Sequence, residues 1–278
     1  KLLKILETNK EYKICKKTVM DTSDKTIYFD DEGISNHYWD YFKYTKPNLY
    51  PNDKGLKLLD EKVSKIKKQS KNKDFDCILG LSGGADSSYM LHTLVSRYGL
   101  RPLVFHVDAG WNTEIAVNNI NNLVDKLGLD LFTEVIDWDE MREFQLAMFR
   151  SGVPHLDIPQ DMAFFAVLYK FAKKYNVKTI LNGGNIATES ILRPFDLIYY
   201  GGDMVQIKDI LRRHSNKKLK KFPFISIFHK KVWLRLFKGI KVFKPLNFIN
   251  YNKKIAEKEL VDNYGWKPYS QKHFESRF

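Results

Sequence analysis

Short runs of apolar or β-branched residues at 77–81, 102–107, 131–136 and 179–182 read as strands, and the unbroken run at 77–81 has the character of a strand buried on both faces. Between them, apolar positions recur at helical spacing. Met90, Leu91, Leu94 and Val95 mark a helix over 86–97, and further helices are predicted over 113–127 and 139–150. Asp161 is expected to cap the next one, which runs to Tyr175. Strand and helix in alternation predict an α/β fold, a doubly wound parallel sheet. Upstream, 4–17 and 56–73 pattern as basic amphipathic helices, 21–33 as a hairpin with its strand at 26–29, and 47–54 as a loop. This divides the chain into an N-terminal arm (1–73), an α/β unit (74–205) and a basic, mostly helical region (206–278).

The first predicted strand runs into Leu81-Ser82-Gly83-Gly84-Ala85-Asp86-Ser87-Ser88. Paired glycines permit a tight turn that gathers backbone N–H groups at one point, and a helix starting there adds its free N–H groups and the positive end of its dipole. Such a junction suits phosphate. The hydroxyls of Ser82, Ser87 and Ser88 add donors, and Asp86 is a candidate ligand for a divalent metal. No lysine follows the glycines, so the loop is not G-x-x-x-x-G-K-[ST], and the G-x-G-x-x-G spacing is absent too. Ser-Gly-Gly-x-Asp-Ser resembles instead the pyrophosphate loop (PP-loop) of the ATP pyrophosphatases, adenine nucleotide alpha hydrolase-like enzymes that cleave ATP between its α and β phosphates. A bare glycine turn is the alternative, and six specified positions at a strand–helix junction argue against it.

The other predicted strand ends carry small or acidic residues: Asp108-Ala109-Gly110, Asp137 and Asn182-Gly183-Gly184-Asn185. Ligands of open α/β sheets bind at these carboxyl ends. By resemblance to the pyrophosphatases, Val107 and Asp108 lie beside adenosine, with capping of the next helix the other role open to Asp108. The stretch 182–189 resembles the Gly-x-(Asp/Asn)-x-x-x-Glu of NAD synthetases, which implies that Gly183 and Gly184 line the nucleotide site and that Glu189 shares magnesium with Asp86; a solvent-facing Glu189 is the alternative. Arg193 is a candidate for assisting near the cleft, a structural role remaining open.

Charge changes the picture in one place. The 278 residues carry a formal +13, yet residues 206–256 hold fifteen Lys and Arg against one acid, Asp209. That segment accounts for +14, so the remainder is near −1. Its aromatics (Phe222, Phe224, Phe228, Trp233, Phe237, Phe243) suit an ordinary core-packed helix, a partner-docking surface, a site for sugar-nucleotide phosphates or an acidic membrane surface. No apolar run is long enough to span a bilayer, and no signal peptide is visible, although the chain does not begin with Met. Two distant cysteines form no disulfide framework, which with ATP chemistry fits the cytoplasm.

Val19–Ser23, Phe29–Gly33, the loop at 82–88, Phe105–Asn112 and Lys272–Phe278 follow in the order of the N-acetyl sugar amidotransferase family of surface-polysaccharide pathways, which act on acetamido sugars of O-antigens or related nonulosonic acids; the chain resembles that family over nearly its whole length. The resemblance implies an ATP- and Mg2+-dependent ligase that adenylates an N-acetyl carbonyl of a nucleotide-linked sugar, releases pyrophosphate and admits ammonia to give an acetamidino sugar. It also implies separate glutaminase subunits, like those of imidazole-glycerol-phosphate synthase, as the ammonia source. Asp86, Ser82 and Arg193 become the catalytic candidates, and the sequence is expected to continue past Phe278. One departure stands out. Where the family carries two Cys-x-x-Cys pairs, this chain has Cys15, Thr18, Ser35 and Tyr38, so no structural zinc is expected and the arm must be held by packing through Tyr38, Trp39, Tyr41 and Phe42. His106 and His155 read as satisfied core or surface histidines, while His273 with Glu275 belongs to the terminal motif and is a candidate for lining the cleft. A homo-oligomer is left open. The rival reading is a tRNA-modifying ATP pyrophosphatase, a thiolase or lysidine-synthetase-like enzyme. The basic segment favours it, and the lack of paired cysteines opposes its sulfur-transfer form, so nucleic acid is not the expected partner. A non-catalytic nucleotide-binding subunit is opposed by the intact loop.

Overall fold

A computed structural model describes residues 11–189, 202–271 and 274–277. Five parallel strands form one sheet in the order β3-β2-β1-β4-β5: β1 Cys77–Gly80, β2 Pro102–Asp108, β3 Leu131–Val135, β4 Thr179–Leu181 and β5 Lys241–Phe243. In register, Gly80 lies beside Phe105 and Leu79 beside Leu181, which in turn pairs with Phe243.

Alternate residues of the strands feed two cores. Ile78, Leu103, Phe105 and Ile180 pack with Phe144, Met148, Val167 and Phe171 on one face. Cys77, Leu79, Val104 and Leu181 pack with Leu59, Met90, Leu123, Leu260 and Trp266 on the other. The sheet is therefore covered on both sides, as its apolar first strand requires. The first helical piece, α1 (Asn36–Asp40), lies in the arm, and α2 (Asp53–Gln69) and α3 (Ala85–His92) cover the Leu79 face with α4 (Glu114–Leu127) and α8 (Lys253–Tyr264). On the Ile78 face lie α5 (Trp138–Ser151), α6 (Ile158–Lys174) and α7 (Met204–His214). Caps set the ends: Thr113 accepts from Ala116 N–H and Asp137 from Glu140 N–H, while Gly128 and Gly152 take left-handed C-cap conformations.

Several expectations need correction. Residues 11–17 are not helical; Ile14 makes an isolated antiparallel bridge with Asp21, and Phe29 bridges Ser35 instead of belonging to a regular hairpin strand. The helix expected over 56–73 starts earlier, because Asn52 caps it. Asp161 is an interior residue of α6, whose N-cap position is Asp157 with Pro159 in the first turn. The basic region is more than a helical extension, since it supplies β5. Its course is anchored to α5: Glu140 accepts backbone N–H bonds from Lys220, Lys221 and Phe222, and Glu143 accepts from Asn216. Phe222 is buried against Phe144, whereas Phe228 and Phe237 are exposed.

Around Cys15 the arm is turn-built. The buried sulfur accepts N–H bonds from Ser35 and Lys17. Burial raises the thiol pKa, but the Ser35 and Thr18 hydroxyls with those N–H groups outweigh it and bring it to about 6. Tyr38 packs on Trp39 and Phe42. No cluster of three or more His, Cys, Asp or Glu able to hold a metal occurs among the described residues.

Candidate active site

From β1 the chain moves outward to β2 and β3 on one side, then returns to place β4 and β5 on the other. The loops after β1 and β4 therefore diverge, and such a reversal leaves a crevice above the carboxyl ends of the strands. A cavity of about 230 Å3 lies there, lined by Gly80, Ser82, Asp86, Ser87, Phe164, Asn182, Gly183, Gly184 and Glu189.

Glycines let these parts approach. A Cβ on Gly80 would sit 2.4 Å from the Phe164 ring of α6, and one on Gly183 only 3.1 Å from the backbone nitrogen of Ser87. Gly83 has φ +83° and faces the Ala116 carbonyl, 2.8 Å from where a Cβ would stand. Its own carbonyl accepts two bonds from the C-terminal segment, 3.2 Å from Trp266 Nε1 and 2.9 Å from the Tyr269 hydroxyl. The peptide is thus held by its oxygen from outside. Gly84 takes the extended N-cap conformation before α3, and its N–H finds only the Ser82 hydroxyl at 3.3 Å. Ser82 and Ser87 hydroxyls meet at 3.1 Å.

Asp86 and Glu189 open on this same crevice, while Ser88 is fully buried and is not among its lining residues. Leu81 is buried; its N–H bonds Phe105 and its carbonyl accepts from His106 Nδ1 at 2.8 Å. Val107 and Asp108 lie one strand over. Asp108 caps Gly110 N–H at 2.9 Å and accepts from Asn112 at 3.2 Å; the cap of α4 is Thr113 instead. His106 Nε2 accepts from the same Asn112 amide, so this histidine ties the ends of β1 and β2 together. Arg193 and His273 lie outside the described residues.

Two residues of the site, Tyr251 and Lys244, escape a reading of the sequence, whereas Glu275 is expected from the terminal motif. Tyr251 is buried and donates a short hydrogen bond to Asp86 Oδ1. Burial, then the Asp86 carboxylate, pushes its phenol pKa up, so it stays a donor. Lys244, directly after β5, brings its Nζ to 3.4 Å from the point where a Gly184 Cβ would be, with Glu189 Oε2 3.3 Å from that point. Glu275 reaches the loop from the C-terminal segment, its Oε1 3.5 Å from the corresponding point on Gly84. That segment is strapped beside the loop by the Thr113 N–H bond to Glu275 and the Arg277 N–H bond to Trp111.

Two carboxylates, Asp86 and Glu189, lining one small crevice whose inner wall is apolar (Phe164, Leu168, Ile180) are a set a hard divalent cation can take when phosphates and water complete its shell. Ser82, Ser87, the Gly84 N–H and Lys244 are the groups a polyphosphate needs.

No known family profile and no curated protein matches the sequence. Among solved structures, the chain is similar to an NMN synthetase from Francisella tularensis, with 15% identity and a TM-score of 0.36 over 78% of this chain and 98% of that one. It is also similar to the U34-tRNA thiolase NcsA from Methanococcus maripaludis, at 15% identity and a TM-score of 0.41 over 80% and 69%. An NH3-dependent NAD synthetase from Campylobacter jejuni gives 14%, 0.37, 78% and 99% in the same terms. At these values the likeness lends no function to this chain.

Proposed function

We propose that this chain is an ATP-dependent amidotransferase synthetase acting on the N-acetyl group of a nucleotide-linked sugar in surface-polysaccharide synthesis. The observation that carries the reading is the convergence, at the reversal of strand order, of the Ser-Gly-Gly-x-Asp-Ser loop with Glu189 and Lys244. The sugar and the pathway come from the resemblance of the sequence alone.

Ser82, Ser87, the Gly84 N–H and the start of α3 hold the β and γ phosphates, with Lys244 balancing charge at the other lip. Asp86 and Glu189 are the residues that would hold Mg2+, which when bound neutralises phosphate charge. The amide oxygen attacks the α phosphorus, the α–β bond breaks, and pyrophosphate leaves with the electron pair. Ammonia adds to the activated carbon, AMP departs carrying the former amide oxygen, and one proton is lost as the acetamidine forms. An amide is a poor electrophile until its oxygen becomes a leaving group. The side chains orient reactants and neutralise charge, with no covalent intermediate on the protein.

The chain's two cysteines supply no glutaminase nucleophile: Cys77 is buried in β1 with its thiol pKa pushed up by burial, and Cys15 is buried in the arm. The resemblance to the amidotransferase family supplies the remaining part of the proposal, separate glutaminase subunits as the ammonia source. The same two residues count against sulfur transfer to tRNA, although the basic segment keeps a lysidine-type tRNA reaction as the second reading. Incubation with ATP, Mg2+, ammonium and UDP- or CMP-linked acetamido sugars, followed by mass spectrometry, tests the proposal. Replacement of one oxygen by NH supports it; AMP formation driven by tRNA and by no sugar overturns it.

A further inference from the structure

The basic region has a surface that the proposed chemistry does not use. Val205, Phe228, Leu236 and Phe237 are each about 70–80% exposed, large apolar side chains of a kind normally scattered. Two of them lie on segments that meet. A Cβ on Gly202 would lie 3.2 Å from Ile227, which brings the start of α7 against 227–228. The helical turns His229–Phe237 have wide, π-type hydrogen bonding; they tuck Leu234 into the core and leave Leu236, Phe237 and Arg235 outside.

A cavity of about 650 Å3 along α7, which carries Val205, is lined by Lys208, Arg212, Lys217 and Lys218 together with apolar residues that include Met204 and Phe224; no described lining residue is acidic. Arg212 has an exposed ion pair with Asp209 at 2.6 Å, and Lys217 lies 3.9 Å from Asp139. Such pairs are weak enough to exchange for a stronger anion. No Asp or Glu occurs from Ile210 to Ala256, so the acids that meet this face, Asp209 and Asp139, come from outside that stretch and are outnumbered by its Lys and Arg.

We infer that this face docks on an anionic lipid bilayer, its apolar side chains entering the headgroup boundary and the lysine- and arginine-lined cavity taking lipid phosphate. Three features favour lipid. Protein interfaces are depleted in lysine, while this face is rich in it. Single-stranded nucleic acid asks for flat aromatic platforms, and Val205 and Leu236 cannot stack on bases. Helical segments that combine Phe and Leu with Lys and Arg lie in the plane of a membrane interface, drawn there by apolar burial and by attraction to acidic headgroups. The inference does not depend on the reaction proposed above.

The test is co-sedimentation of the full chain with vesicles of phosphatidylcholine alone or with phosphatidylglycerol added. Binding to the anionic vesicles is expected, weakened by salt as screening requires. Phe228→Glu with Phe237→Glu should reduce it about tenfold or more, since each substitution replaces an apolar anchor by a charge the surface repels. Lys208→Glu with Lys218→Glu should remove the preference for anionic vesicles while the melting temperature stays unchanged. A variant that fails to melt cooperatively is replaced by Phe237→Ser, for which weaker binding is again expected. Equal binding to neutral vesicles, no binding, unchanged binding by these variants, or displacement of the vesicles by equimolar RNA overturns the inference.

Discussion

The hydroxyl of Tyr251 donates to the carboxylate of Asp86, joining the residue before the cap of α8 to the first turn of α3. The bond occupies Oδ1 and leaves Oδ2 for a cation. Tyr251→Phe keeps the ring, which packs 5.7 Å from Tyr89, and removes only the donor. Partners of metal-binding carboxylates typically contribute about 10–100-fold. The variant should need about tenfold more Mg2+ for half-maximal pyrophosphate release, with its melting temperature little changed. An unaltered Mg2+ dependence would leave Tyr251 a purely structural residue.

Gly83→Ala tests the loop's backbone. Its φ of +83° and the Ala116 carbonyl, 2.8 Å from the added carbon, leave no room without a shift. Strain of this kind costs on the order of 1–3 kcal/mol. The midpoint of urea unfolding should fall accordingly, and nucleotide binding should weaken as the Gly84 N–H moves. A variant as stable as the parent would show that the loop relaxes freely.

Lys244 is predicted to act on charge alone. Lys244→Gln should lower turnover about a hundredfold, the scale of losing one preorganised electrostatic donor, with Lys244→Arg retaining part of it. Steady-state pyrophosphate release reads both, and full activity in Lys244→Gln would remove the residue from the mechanism.

A stability prediction comes from the N-terminal ends of β1 and β2, two inner strands of the sheet. Asp76 is buried, which raises its pKa, but Arg101 at 2.8 Å, the Ser70 hydroxyl and the Arg101 N–H together hold it below the usual carboxylate range. The folded state therefore favours the charged form. Its contribution is complete above about pH 4, the unfolded value, and is lost as pH falls through the lower folded value. Asp76→Asn should be less stable at neutral pH and lose less stability on acidification. Parallel pH–stability curves for parent and variant would contradict this.

The strands that carry the crevice were legible because a buried parallel sheet demands apolar runs, and the loops because glycine and serine at their ends have few other uses. β5 was not legible. Lys241-Val242-Phe243 is three residues long, its first two exposed, and it joins the sheet through backbone pairing with β4, which leaves no apolar pattern. Missing it hid Lys244. Tyr251 was invisible for another reason: its contact with Asp86 spans 165 positions, and no local spacing encodes that. Pro159 did carry a signal, since proline suits the first helical turn, and it points to Asp157 over Asp161. In the arm, charge periodicity at 11–17 imitated a helix, while hydrogen bonds to Cys15 and Asp21 select turns.

Pyrophosphate release by the parent and by Asp86→Ala, measured with ATP, Mg2+, ammonium and an acetamido sugar nucleotide, tests the central claim most directly. Release that depends on the sugar, and a fall of at least about a hundredfold in a variant that still melts cooperatively, is the predicted result. Undiminished release by Asp86→Ala, or none by the parent on any such sugar, would contradict it.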